Sequence, residues 1–148
     1  ASDVYKRQVA EEYQKNRLKN AKKMPEIPTY ELLKEGNDRL LLNTGSLIKE
    51  ILYRRLNGED SDRLAYIFDQ ELARQITASC VKIREQSGCN KAALSGGVFQ
   101  NRLLLELVDD GLTEMGFEVL KHSLIPPNDG GIALGQAVYG MAYVQRHR

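Results

Sequence analysis

Apolar side chains recur at helical spacing in two stretches in the middle of the chain. The first, residues 46–56, predicts a helix that an Asn-Gly pair ends. The second predicts a long helix from Arg63 to about Gln86, which Ser61 or Asp62 would cap. A Ser-Gly pair follows it, as is common at a helix C-terminus. The middle of the chain is therefore predicted to be helical.

The pattern then changes to a short buried strand, a helix and a second strand. The strands are predicted at Lys91–Ser95 and Phe117–Leu120, and the helix at Gln100–Met115, with Gly116 ending it. A strand, a crossover helix and a second strand form a βαβ unit with parallel strands. The sequence therefore predicts a helix-rich α/β fold with a small parallel sheet. Ligands of such sheets bind at the carboxyl edge.

Two glycine turns follow these strands and carry the candidate chemistry. Ser95-Gly96-Gly97 leaves the first strand, and Asn128-Asp129-Gly130-Gly131 opens the last helix. Backbone amides at such a turn suit a phosphate or ribose, and a carboxylate suits a divalent cation. Each turn alone is also typical of a connection that reverses or redirects the chain without binding a ligand. Asn101 could either cap its helix or face a sugar or base. The two glycine turns together predict one ligand cleft, which both of them frame.

Composition limits the possible partners and the compartment. The chain has 148 residues, 42% of them apolar, and a net charge of +1 at pH 7. This length suits one domain, and the charge does not require nucleic acid or a membrane as a partner. The sequence carries neither an apolar run of about 20 residues nor a signal peptide, so a cytoplasmic location is expected. The polar, basic residues 1–28 are interpreted as a helical extension, and residues 29–148 as the lobe that carries the site.

Several further residues are expected to be structural. Asp69 is expected to face solvent. His122, at the end of a strand, is expected to be a structural residue whose ring is hydrogen-bonded to another protein group. Cys80 and Cys89 are expected to be free thiols, because no Cys-Cys or Cys-His spacing accompanies them. The small residues after Gly131 predict a helix that packs closely on a neighbouring element.

Three stretches of the sequence carry a family resemblance. They are Leu94-Ser95-Gly96-Gly97-Val98-Phe99-Gln100-Asn101 with Leu103-Leu104, Gly116-Phe117, and Pro126-Pro127-Asn128-Asp129-Gly130-Gly131-Ile132-Ala133-Leu134-Gly135-Gln136. These stretches resemble the HypF family of hydrogenase-maturation carbamoyltransferases. The resemblance extends from about Leu47 to Tyr143 and covers the C-terminal part of that family. It implies a second-lobe segment of the actin-like ATPase fold, which sugar kinases and heat-shock-protein ATPases share.

The resemblance also implies a reaction and a set of site residues. The family uses carbamoyl phosphate and ATP to make a carbamoyl-adenylate, and then carbamoylates the C-terminal cysteine of its partner HypE. Carried over by position, the nucleotide-binding residues are Ser95, Gly96, Gly97, Asn101 and Gly130, and the metal-binding residue is Asp129. The resemblance assigns a catalytic role to no residue of this chain. Where the family usually has Phe-His, this chain has Phe68-Asp69.

Two alternatives to this function remain open. One is the related lobe of a tRNA threonylcarbamoyl or antibiotic carbamoyltransferase, and the other is a non-catalytic module that docks a partner. The HypF interpretation places further domains of the enzyme before this chain, together with ATP, a divalent metal ion of unknown identity and a HypE-like acceptor. The chain alone is expected to be inactive, because it would carry part of a nucleotide cleft without the opposite wall. It also carries no histidine pair at metal-ligand spacing.

Overall fold

The computed structural model describes residues 31–35 and 39–147, in which a short hairpin precedes three helices, a parallel strand pair and a last helix. The hairpin pairs residues 33–35 with residues 39–41 in antiparallel orientation. The bounds are β1 Leu33–Glu35, β2 Arg39–Leu41, α1 Thr44–Leu56, α2 Ser61–Ser87, β3 Lys91–Leu94, α3 Arg102–Glu114, β4 Glu118–Lys121 and α4 Ile132–Arg146. Two short 3₁₀ turns, Gly97–Gln100 and Asp129–Gly131, precede α3 and α4.

The predicted βαβ unit is confirmed. Strands β3 and β4 are parallel, with Lys91 opposite Glu118 and Leu94 opposite Lys121, and α3 connects them. The predicted class, a helix-rich α/β fold with a small parallel sheet, is thereby confirmed. Because β3 and β4 run in the same direction, the segments that follow them emerge at one edge of the sheet.

The main core lies between α2, α3 and the parallel strands. Val108 and Leu112 of α3 are fully buried, and Leu104 is nearly so. They pack with Ala73 of α2, with Leu94 at the end of β3 and with Phe117 just before β4. The apolar spacing along α3 places these side chains on one face, so burial of that face fixes the helix on the sheet.

A polar cluster inside the helical layer joins α1 to α2. The Gln75 side-chain oxygen accepts a hydrogen bond from the Asn43 backbone amide at 2.6 Å, and its amide donates to Glu71 at 3.1 Å. Glu71 is buried and also receives two 2.7 Å hydrogen bonds from the Arg74 guanidinium. Buried charge is tolerated when it is paired in this way.

Some predicted boundaries are wrong by a few residues. Helix α2 begins at Ser61, and its N-cap is Asp60, which makes no side-chain cap hydrogen bond; the predicted caps Ser61 and Asp62 lie inside the helix. Helix α3 begins at Arg102, because residues 97–100 form a separate 3₁₀ turn. The hairpin β1–β2 was not predicted, since strands of three residues leave no alternation to detect.

Helix α4 differs most from expectation. Every residue from Ile132 to His147 is exposed, so the close-packed neighbour predicted for it is not found in the part of the chain that the structure describes. Over the same part of the chain, no helix combines the length and the apolar character needed to cross a membrane. The predicted extension, residues 1–28, lies outside the described residues, and the division at residue 28 stays a prediction.

The contact between α2 and α3 gives a stability prediction at Gly111. A Cβ added there would lie 2.8 Å from the Thr77 side-chain oxygen. We expect Gly111→Ala to destabilise the chain by ~1–2 kcal/mol, because overpacking outweighs the ~1 kcal/mol that alanine gains in a helix. Gly140→Ala in α4 is the control, since nothing lies within 4 Å of its added Cβ. It should raise the urea midpoint, and equal effects of both substitutions would contradict the packing.

Candidate functional site at the carboxyl edge of the sheet

The two glycine turns predicted to frame a cleft are joined by a backbone hydrogen bond. The Gly96 amide donates to the Pro127 carbonyl oxygen at 2.7 Å. Gly96 follows β3 directly after Ser95, and Pro127 precedes the Asp129–Gly131 turn. The structure therefore brings the two turns together at the carboxyl edge, although about 30 residues separate them in the chain.

Glycine is required at two positions of this edge for different reasons. Gly96 has φ 103° and ψ 161°, a conformation that is essentially restricted to glycine. Gly131 has an ordinary φ, but an added Cβ would lie 3.0 Å from the Pro126 carbonyl oxygen and 3.2 Å from Ile125. Gly96 therefore sets the direction of the chain after β3, and Gly131 allows the second turn to close tightly.

The amides of Gly97 and Val98 are the open donors of the first turn. Among the described residues, no acceptor is found for either amide, and both residues are exposed. Nothing lies within 4 Å of a Cβ added at Gly97, so open space adjoins its backbone. The Gly96 amide is instead used by Pro127. Val98 was not selected from the sequence, because side-chain identity gives no signal for a backbone donor.

The amide of Gly130 is used inside its own turn. The Asn128 side-chain oxygen accepts a hydrogen bond from the Gly130 amide at 3.1 Å, and the Asn128 carbonyl accepts one from Gly131 at 3.0 Å. These bonds shape the turn that leads into α4. Nucleotide binding by Gly130 stays a prediction.

Asn101 is the N-cap of α3, one of its two predicted roles. Its side-chain oxygen accepts a hydrogen bond from the Leu104 amide at 3.3 Å. Its side-chain nitrogen donates to the Asp69 carboxylate at 2.9 Å. Both ends of the amide therefore have protein partners, which fixes its orientation. Contact between Asn101 and a nucleotide stays a prediction.

The expectation that Asp69 faces solvent is wrong. Asp69 is half-buried on α2, at the side that meets the start of α3, and it accepts the hydrogen bond from Asn101. Burial raises the pKa of the Asp69 carboxyl above its ordinary value, and the hydrogen bond from Asn101 opposes that shift without cancelling it. Sequence reasoning missed this contact because it is made between helices.

The raised pKa of Asp69 gives a pH-dependent prediction. The folded chain holds the Asp69 proton more tightly than the unfolded chain, so stability falls as pH rises from the unfolded pKa through the folded pKa. Asp69→Asn keeps an acceptor for Asn101 and cannot ionise. We expect it to raise the urea midpoint at about pH 7 and to leave it unchanged below about pH 3. The exposed Asp110→Asn is the control for charge, and a loss of stability at pH 7 in Asp69→Asn alone would contradict this account.

Ser95 and His122 meet at the same edge. The Ser95 hydroxyl oxygen and His122 Nε2 lie 2.9 Å apart, and both residues are exposed. The expectation that His122 has a protein partner is confirmed. Its partner is one of the residues expected to bind nucleotide.

Asp129 presents an exposed carboxylate in the second turn. No described residue donates a hydrogen bond to its carboxylate oxygens, which are therefore open to a cation; the Ile132 amide donates to the Asp129 backbone carbonyl. Within the described ranges, no group of three or more His, Cys, Asp or Glu side chains could hold a metal ion. A single carboxylate fits Mg²⁺, which keeps several waters and takes much of its shell from substrate phosphates. Cys80 and Cys89 are free thiols, as expected.

Comparison with known proteins identifies the family. Residues 6–136 match the family described as "Carbamoyltransferase, Kae1-like Domain, second subdomain". The chain therefore belongs to the HypF carbamoyltransferase family. A probable carbamoyltransferase HypF of Methanocaldococcus jannaschii is 30% identical over 72% of this chain and 14% of its own length. Carbamoyltransferase HypF of Rhodobacter capsulatus is 36% identical over 60% of this chain and 12% of its own length.

Solved structures of HypF proteins share the fold of this chain. A full-length HypF in the phosphate- and nucleotide-bound form matches with a TM-score of 0.69 and 34% identity, over 77% of this chain and 15% of that one. The HypF of T. kodakarensis matches with a TM-score of 0.64 and 26% identity, over 83% of this chain and 16% of that one. The chain thus spans about one seventh of the length of the HypF proteins it matches. The assignment to the C-terminal part of HypF is confirmed.

Proposed function

We propose that this chain is the nucleotide-binding second-lobe segment of a longer HypF-type carbamoyltransferase. The observation that carries the proposal is the hydrogen bond between Gly96 and Pro127, which holds the two glycine turns at one edge of the sheet. The open amides of Gly97 and Val98 lie in the first of these turns, and the Asp129 carboxylate lies in the second. Membership of a carbamoyltransferase family supports the reaction class.

In this proposal the edge binds ATP, and the rest of the enzyme completes the site. The open amides of Gly97 and Val98 donate to phosphate or ribose oxygens, and Ser95 adds a hydroxyl. Asp129 would hold a divalent ion, which would neutralise phosphate charge. Asn101 and Gly130 shape the pocket from the start of α3 and from the second turn. Domains that precede this chain in the full-length protein supply the opposite wall.

The proposed reaction places carbamoyl transfer after nucleotide activation. Carbamoyl phosphate is hydrolysed to carbamate and inorganic phosphate. A carbamate oxygen then attacks the α-phosphorus of ATP, so that carbamoyl-adenylate forms and pyrophosphate leaves. The cysteine thiol of a HypE-like acceptor then attacks the carbamoyl carbon, so that a C–S bond forms, the C–O bond to AMP breaks and the thiol loses its proton. The product serves hydrogenase maturation, and a cytoplasmic location belongs to the same proposal.

A valine at Gly97 tests whether this turn binds nucleotide. The fold has room for the side chain, because nothing lies within 4 Å of the added Cβ and φ is not positive. We expect Gly97→Val in the full-length protein to weaken Mg-ADP binding at least about 10-fold, since the branched side chain occupies the space where phosphate meets the amides. Isothermal titration calorimetry measures the change.

The control is Gly45→Val in α1, which is also exposed and also has nothing within 4 Å of its added Cβ. It should leave the affinity for Mg-ADP unchanged. If Gly97→Val folds normally and binds Mg-ADP as the wild type does, the turn only connects β3 to α3 and does not bind nucleotide. The proposed function then fails.

A further inference from the structure

His122 occupies a position at the edge that the proposed function does not use. It directly follows β4, as Ser95 directly follows β3, and the last paired residues of these strands are Leu94 and Lys121. The next residue of each strand therefore lies side by side with its neighbour, and the Ser95 hydroxyl oxygen meets His122 Nε2 at 2.9 Å.

His122 is exposed, so its contact with Ser95 does not contribute to the packing of the core. Its ring lies outside the buried cluster that holds α3 on the sheet. The adjoining turn is fixed independently, because the bond from the Gly96 amide to Pro127 does not involve His122. Loss of the imidazole should therefore leave the backbone of the edge in place and release only the Ser95 side chain.

A serine hydroxyl rotates freely unless a partner fixes it. The bond to His122 selects one rotamer of Ser95, at the start of the turn that carries the open amides of Gly97 and Val98. Fixing that rotamer before binding removes an entropic cost. We propose that His122 is a positioning residue for the nucleotide, which acts by orienting the Ser95 hydroxyl. This inference rests on the proposed function, because it takes the ligand at this edge to be ATP.

A double-mutant cycle on the full-length protein tests the inference. The variants are Ser95→Ala, His122→Ala, the double variant and His122→Gln, whose amide reaches about as far as Nε2. We expect each alanine variant to weaken Mg-ADP binding about 3- to 10-fold, the range for one hydrogen bond. The double variant should bind no more weakly than Ser95→Ala, because His122 acts only through Ser95. His122→Gln should restore most of the affinity.

Two further measurements distinguish positioning from a general structural role. The KM for ATP should rise in His122→Ala while kcat and the melting temperature stay near wild type, because the lost contact is made equally in the ground and transition states. The neighbouring exposed Ser123→Ala is the control and should change none of these quantities.

The possible failures of the two proposals differ. Full affinity in His122→Ala, or losses that add in the double variant, would overturn the positioning role while leaving the nucleotide site intact. Unchanged affinity in Ser95→Ala overturns the positioning role and also removes Ser95 from the proposed nucleotide site. If Gly97→Val also binds normally, the proposed function itself fails.

Discussion

Asp129→Asn is expected to lower metal-dependent carbamoyl transfer by the full-length protein about 100-fold or more. The carboxylate is exposed in the second turn, and no described residue occupies its oxygens. Asparagine keeps the shape and removes the charge that favours a divalent cation. Loss of several kcal/mol of charge stabilisation in the transition state corresponds to this factor. The assay follows carbamoylation of the acceptor cysteine as a function of magnesium concentration.

The melting temperature of Asp129→Asn should stay near that of the wild type. The N-cap of the turn is Asn128, whose side chain receives the hydrogen bond from Gly130, so Asp129 has no capping role to lose. Asp110→Asn on the exposed surface of α3 serves as the control for a lost charge. A large loss of stability with retained activity would show that Asp129 is structural and would contradict its assignment to the metal ion.

The 148-residue chain alone is expected to bind adenine nucleotide weakly or not at all and to hydrolyse no carbamoyl phosphate. The described edge offers donors from one side only, and the exposed faces of Gly97 and Asp129 leave a phosphate in contact with water. Without the opposite wall, solvent screens these donors, and the preorganised field that stabilises a transition state is lacking.

Calorimetry with Mg-ADP and phosphate release from carbamoyl phosphate measure these two properties of the isolated chain. The full-length protein under the same conditions is the control. Submicromolar binding or sustained turnover by the isolated chain would show that the complete site lies within it. The proposal that other domains supply the opposite wall of the site would then be wrong.

The helices and the parallel unit could be predicted because their signals are local. Apolar spacing along α2 and α3 and the glycines that end them determine both helices within a few residues, and a strand–helix–strand order implies parallel pairing. The hairpin β1–β2 carries too few residues for a periodic signal. The exposed surface of α4 also could not be foreseen, since apolar spacing predicts a buried face without saying which element covers it.

The sequence is sufficient to locate the two turns of the site. It does not predict the hydrogen bonds that join residues of different segments. Both glycine turns were selected from the sequence, because glycine and asparagine mark turns by their chemistry. The bonds from Gly96 to Pro127, from Asn101 to Asp69 and between Ser95 and His122 join residues 27 to 32 positions apart. Such pairs depend on tertiary packing, and local patterns carry no information about them. The structure thereby adds Val98, Asp69 and His122 to the candidate edge.

The most direct test of nucleotide binding at the two glycine turns is a crystal structure of the full-length protein with Mg-ADP bound. We expect a phosphate or ribose oxygen within hydrogen-bond distance, about 2.7–3.2 Å, of the Gly97 amide nitrogen. We also expect the magnesium ion on the Asp129 carboxylate, directly or through one water. A nucleotide bound elsewhere in the protein, with no atom at the Gly97 turn and no magnesium near Asp129, would contradict both expectations.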